Sequence, residues 1–183
     1  MKNKSAFTLI ELLIVIAVIA LISTLALTAL NNARKKARDA KRLADIKQII
    51  TTLELYYDNN KKYPGPTSSY GEAEGACGGW DSSTVDNDSD GRSFIEPLID
   101  VELMGKVPRD PIGTAGTCGG YNYRYFRYNA GSNGCDSSRG AFYVISINDM
   151  ETSGNPYSSS PGWSCPGRNW QGEFDWVTGG FEN

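Results

Sequence analysis

Residues 7–30 read FTLIELLIVIAVIALISTLALTAL, and this run decides how the rest of the chain is organised. It holds one ionisable side chain, Glu11, and neither glycine nor proline. As a helix rising about 1.5 Å per residue it is long enough to cross a bilayer core of about 30 Å. Only a short polar leader, Met1-Lys2-Asn3-Lys4-Ser5-Ala6, stands ahead of it. An ordinary secretory signal is cut behind its apolar core, at a small-residue site followed by a polar mature start. Here helix-forming residues simply run on past Leu30, and the small residue that stands out, Ala6, lies in front of the core. A carboxylate inside an apolar span is costly unless it reaches the interface or meets a partner. Glu11 is therefore either a tolerated interfacial acid or a functional one.

The helical pattern continues beyond the apolar run, with no glycine or proline between Phe7 and Tyr63. Leu43, Ile46, Ile50, Leu53 and Tyr57 recur at alternating steps of three and four, an apolar helical stripe. Ala33, Ala37, Ala40 and Ala44 extend that stripe with small side chains. Asn59-Asn60 followed by Pro64-Gly65 supplies the stop. One helix from about residue 8 to 58 would span roughly 75 Å. Its first half is apolar all round and its second half one-sided, so only the second half is expected to pack on a head. The expected organisation is a leader (1–6), an apolar membrane or filament-core helix (7–30), an amphipathic upper helix (31–62) and a globular head (63–183).

Lys4-Ser5-Ala6-Phe7-Thr8-Leu9-Ile10-Glu11-Leu12-Leu13 resembles the processing and methylation motif of type IV prepilins and type II secretion pseudopilins. The resemblance implies cleavage between Ala6 and Phe7 by prepilin peptidase and methylation of the new N-terminus. Glu11 would then be the fifth residue of the mature chain, where that family keeps its acid, while Ala6 stands where the family more often has glycine. Cleavage would leave an α-ammonium on Phe7, and Glu11 of one subunit could meet that cation on the next. Such a pair sets register more than it adds stability. The implied partners are a homo-oligomeric helical filament, the inner-membrane assembly machinery and, before assembly, the membrane. The implied location is the cytoplasmic membrane, single-pass with the head outside, and afterwards an extracellular or periplasmic filament.

The head reads as α+β. The segment 94–107, FIEPLIDVELMGKV, suggests a short helix or turn with apolar contacts at Leu98, Ile99, Leu103 and Met104. Tyr121, Tyr123 and Tyr125 alternate with polar residues as in a half-exposed strand. Residues 141–147, AFYVISI, suggest a central strand, and NAGSNG at 129–134 gives the turn between the two. An antiparallel sheet packed on the upper helix follows. With LELYYDNNKKYPG, FIEPL and KVPRDPIG, this region resembles the head of major secretion pseudopilins and short pilins.

Cys77, Cys118, Cys135 and Cys165 make no C-x-x-C pair and point to two disulfides in an oxidising compartment. Three pairings are open; Cys118–Cys135, clamping a hairpin, is the one favoured. The oxidising reading places the head outside the cytoplasm, against the charge rule, since Arg34, Lys35, Lys36 and Arg38 outnumber Lys2 and Lys4. Asp86-Asn87-Asp88-Ser89-Asp90-Gly91 matches the first half of a calcium loop, with Asp86, Asp88 and Asp90 as candidate ligands, but its closing acid is missing because Pro97 stands at the twelfth position. Calcium is the one cofactor considered; otherwise none is expected. Trp163, Trp170 and Trp176, with Tyr157 and Phe174, suggest the core of an irregular disulfide-held flap rather than an adhesive or base-stacking surface.

Composition narrows function. The chain has 183 residues and no histidine, which removes histidine-dependent triads and His-ligated metal sites. Asp110 and Glu96 are the available carboxylate pair, with nothing to fix their separation. The net charge of −3 conceals nine basic residues against four acids over 34–62, and seven against sixteen over 63–183. A basic stem carries an acidic head, so nucleic-acid capture through Arg124, Arg127 and Arg139 has little support. The expected function is a structural filament subunit of a pilus, a secretion pseudopilus or a DNA-uptake device, not an enzyme. The alternative is a membrane-tethered monomer whose head binds calcium, glycan or DNA.

Overall fold

The computed structural model describes residues 8–65, 77–85, 94–114, 116–152 and 154–183. Helix α1 runs unbroken over Leu9–Asn60. It ends where Lys61 turns to φ 55° with its N–H on the Tyr57 carbonyl at 2.7 Å, while the Asn60 amide donates to the Tyr56 carbonyl at 2.9 Å. The asparagine stop is thus seen at the expected place. By compactness the chain divides into two units, Met1–Ala37 and Arg38–Asn183. In the first, every described side chain is exposed, including Leu9 at 82% and Leu25 at 63%.

The second unit is built on an antiparallel sheet beside the rest of α1. Its short elements are β1 (Asp81–Ser82), α2 (Pro97–Asp100), β2 (Tyr123–Tyr128), β3 (Phe142–Ile147), β4 (Ser164–Cys165), β5 (Arg168–Asn169) and β6 (Trp176–Phe181). The main sheet has the order β1-β2-β3-β6, and β4 pairs with β5 as a separate ribbon. Register places Tyr125 opposite Ile145 and Ile145 opposite Thr178, so one side of three strands faces α1. Ile46, Ile49, Leu53 and Tyr56 of α1 form one core with Tyr123, Tyr125, Tyr143, Ile145 and Ile147, closed by Phe94, Leu98 and Met104. The alternate residues Phe142, Val144 and Val177 form a second core with Trp80, Trp170 and Phe174. β3 is buried along its whole length, as its β-branched sequence suggested.

β6 is the element the sequence reading did not find. Its Gly179-Gly180 pair looks like a turn, yet both lie in the strand opposite Val144 and Tyr143. A Cβ on Gly179 would stand 2.7 Å from the Trp163 ring, and one on Gly180 would stand 2.8 Å from the Tyr143 ring. Each glycine admits an aromatic ring, one on either face of the sheet. The flap therefore includes a regular strand.

Three expectations need correction. The disulfides are Cys77–Cys118 and Cys135–Cys165, not Cys118–Cys135. Residues 118 and 135 flank the single strand β2, and six extended residues separate its ends by about 20 Å. A hairpin would have brought them together; one strand keeps them apart. The alanine row is the second correction, since Ala33, Ala37, Ala40 and Ala44 are exposed. The buried face of α1 continues instead through Asp45, Arg42 and Asp39. Finally, the apolar stripe is turned toward Ile49 and Tyr56, leaving Leu43, Ile50 and Tyr57 partly buried at its edge.

Candidate functional site

The first turn of α1 is closed by its own side chains. Thr8 Oγ1 accepts the Glu11 N–H at 3.3 Å, and Glu11 Oε2 accepts from the Thr8 N–H at 2.8 Å and the Thr8 hydroxyl at 2.6 Å. This T-x-x-E arrangement is a capping box, satisfying helix-start donors reciprocally. Glu11 thus has a local structural role that the sequence reading did not give it. The signal was present: threonine followed three residues later by glutamate at the mouth of an apolar run. Ala6 and Phe7, the residues expected to flank the processing cut, lie outside the described residues. From Leu9 to Leu30 the exposed surface of α1 is predominantly apolar, with Ile10, Leu12, Leu13, Ile14, Ile16, Ile19 and Ile22 all more than half exposed. α1 is the one described helix long and apolar enough to cross a membrane. Such a surface needs lipid or protein to cover it.

A second polar site lies within the head unit. Arg42 has no exposed side-chain surface and meets three carboxylates. Its Nε and Nη2 donate to Asp110 at 2.6 and 3.1 Å, and Nη1 donates to Asp39 at 2.6 Å and Glu151 at 3.0 Å. Tyr121 lays its ring 4.7 Å from the guanidinium carbon. Asp39 also accepts the N–H groups of Glu151 and Thr152 and the Thr152 hydroxyl. Asp110 accepts the Ile112 N–H at 3.0 Å. Arg38 completes the group by a bidentate pair with Glu151, both bonds 2.6 Å. One helix face thereby holds the loops around residues 110 and 151.

Titration follows this geometry. Burial pushes Arg42 down, but Asp110, Glu151 and Asp39 outweigh it and hold the guanidinium above its ordinary value. The hydrogen bonds from Arg38, reinforced by Arg42, hold Glu151 down at about 2. Tyr123 donates its hydroxyl to Asp45 at 2.9 Å, and burial beside that carboxylate raises the phenol well above its usual range. Asp110, the sequence candidate for a carboxylate pair, is thus engaged by Arg42 and the Ile112 N–H.

The remaining candidates do not converge. Asp86, Asp88 and Asp90 lie outside the described residues; among the described residues no group of three or more acids and cysteines is placed to hold a metal. Trp170, Trp176 and Phe174 are buried, whereas Trp163 and Tyr157 are only partly so, which bears out the core reading of the tail. Arg127 is paired with Glu182 at 2.8 and 2.9 Å, Arg139 lies over the Phe181 ring, and Arg124 donates to the Cys118 carbonyl and to Asn122. They are three separate contacts rather than one patch.

Comparison with known proteins places one part of the chain. Residues 1–27 match the family described as the prokaryotic N-terminal methylation motif. No curated protein and no solved structure matches the chain significantly. The motif is that of prepilin-type proteins, and it spans the leader, the Ala6-Phe7 junction, Glu11 and most of the apolar run.

Proposed function

We propose that this chain is a processed structural subunit of a type IV pilus-like or secretion-pseudopilus filament. The observation that carries the reading is the placement of the Thr8–Glu11 capping box at the start of an exposed apolar run, one residue beyond the Ala6-Phe7 junction. Cleavage by prepilin peptidase at that junction gives Phe7 a free amine, which is then methylated. The box engages only Oε2 of Glu11 among the described residues. Oε1 is available to the amine of an adjoining copy, and the apolar surface passes from lipid to neighbouring helices as the subunit leaves the bilayer. The charge pair sets the stagger between subunits, because removing one member leaves the other facing an apolar surface alone. The head, held by two disulfides, suits an oxidising exterior.

Two substitutions separate the helix-capping role of Glu11 from its charge. Glu11→Gln keeps a side chain that can complete a capping box but removes the charge; Glu11→Ala removes both. Both variants should insert into the membrane and be cut at Phe7, and both should fail to give filaments at wild-type yield. Filaments from Glu11→Gln at normal yield would show that capping alone is needed, and the assembly pair would be wrong.

A further inference from the structure

Three cations follow the apolar run, and among the described residues no acid answers them. Arg34, Lys35 and Lys36 are exposed, and none makes an ion pair among the described residues. The acid that helical spacing offers to Lys35 and Lys36 is Asp39, four and three residues on. Its carboxylate is 1% exposed and holds Arg42, Thr152 and the Glu151 N–H instead. The next cations along the helix are also engaged: Arg38 by Glu151, Lys41 by Asp45, and Arg42 by Asp110. Folding of the head unit thus takes up the cations from residue 38 to 42 and leaves 34, 35 and 36 uncompensated among the described residues.

Their depth is set by the same helix. From Leu9 to Leu30 the apolar run rises about 33 Å, matching a hydrocarbon core of about 30 Å. Asn31 and Asn32 then begin the polar zone, and Arg34 lies about 6 Å beyond Leu30 along the axis. That is the level of the phosphates. Successive residues turn by about 100°, so the three cations fan over roughly 200° of the circumference. A contact with one partner helix would gather them on one face; a fan suits a shell of small anions around a single helix.

We infer that Arg34, Lys35 and Lys36 form a collar binding the phosphate groups of anionic phospholipids in the leaflet on the head's side of the span. The inference rests on the membrane-anchored state proposed above. The collar fixes the depth of the span and retains the subunit at an anionic surface until assembly. Stripping these lipids is then one of the steps of extraction. The attraction is Coulombic, so it weakens as the screening length falls from about 8 Å at 0.15 M salt to about 3 Å at 1 M.

The test uses the full-length chain in vesicles of pure phosphatidylcholine and of an equal mixture with phosphatidylglycerol. Flotation reports insertion, and native mass spectrometry after mild extraction counts the lipids retained. The wild type should insert into both and retain phosphatidylglycerol in preference by ten-fold or more, losing that preference in 1 M salt. Arg34→Gln/Lys35→Gln/Lys36→Gln should still float but hold the two lipids alike. A wild type that floats without lipid preference overturns the collar, as does a triple variant that keeps the preference. A triple variant that keeps the preference yet forms no filaments would assign the cations to another subunit instead. A chain that floats with neither vesicle refutes the membrane anchor itself, a different failure from loss of lipid choice.

Discussion

Replacing Arg42 by methionine should be among the most damaging single substitutions in the head. Methionine fills much of the arginine stem but takes from Asp39 and Asp110 the cation each meets at 2.6–3.1 Å, while Glu151 keeps Arg38. Arg42 is fully buried, as is Asp110, and Asp39 is 1% exposed, so water cannot take over these bonds without opening the loops at 110 and 151. Breaking a buried pair by removing one partner costs about 3–5 kcal/mol, against a total of about 5–15 kcal/mol for a domain. The assay is urea unfolding of the full-length protein in detergent, followed by tryptophan emission. All four tryptophans, Trp80, Trp163, Trp170 and Trp176, belong to the head, so the signal does not report the apolar helix. At pH 7 the midpoint should fall in proportion to that cost. Adding Asp110→Asn should recover part of the loss, a coupling visible in a double-mutant cycle. A loss below about 1 kcal/mol at pH 7 would mean that Arg42 is not the counter-ion of a buried cluster.

Other expectations follow from the same contacts. Glu151 is held down at about 2 from an ordinary 4.5, so its contribution is full above about pH 4.5 and is lost as pH falls toward 2. After allowing for solvent screening this is roughly 1–2 kcal/mol, and Glu151→Gln should flatten that part of the stability–pH curve. Gly179→Val would set a Cβ against the Tyr143 carbonyl oxygen and 2.7 Å from the Trp163 ring, costing about 1–3 kcal/mol in urea unfolding and shifting tryptophan emission. Removing the Cys135–Cys165 bridge, whose members are 30 residues apart, should cost about 2–4 kcal/mol in the same assay.

The long helix and the central strand were legible because each carries its own period. Residues 8–58 have helix formers without a breaker, and Phe142–Ile147 is a β-branched run bounded by turn residues. The buried ion cluster was not legible as such, because its members come together only when residues 110 and 151 reach the helix. Alanines at 33, 37, 40 and 44 offered a smoother stripe, yet Asp39, Arg42, Asp45 and Ile49 stand in helical phase with Leu53 and Tyr56. Charged residues continuing an apolar face are the signal that was missed. β6 was hidden by Gly179-Gly180, which serve close packing rather than a turn. The disulfide pairing depended on β2 being one strand between Cys118 and Cys135, a question of topology. At the N-terminus the methylation motif was readable by its resemblance, while the capping box shows that its glutamate closes the start of its own helix.

In the function proposed above, the chain is cut before Phe7 and polymerises through its apolar helix. Mass spectrometry of the N-terminal peptide from material sheared off cells, with electron microscopy of the same fraction, addresses both halves together. Thin fibres whose subunits begin at a methylated Phe7 are the expected result. Subunits that still carry residues 1–6 and remain dispersed in the membrane would contradict it.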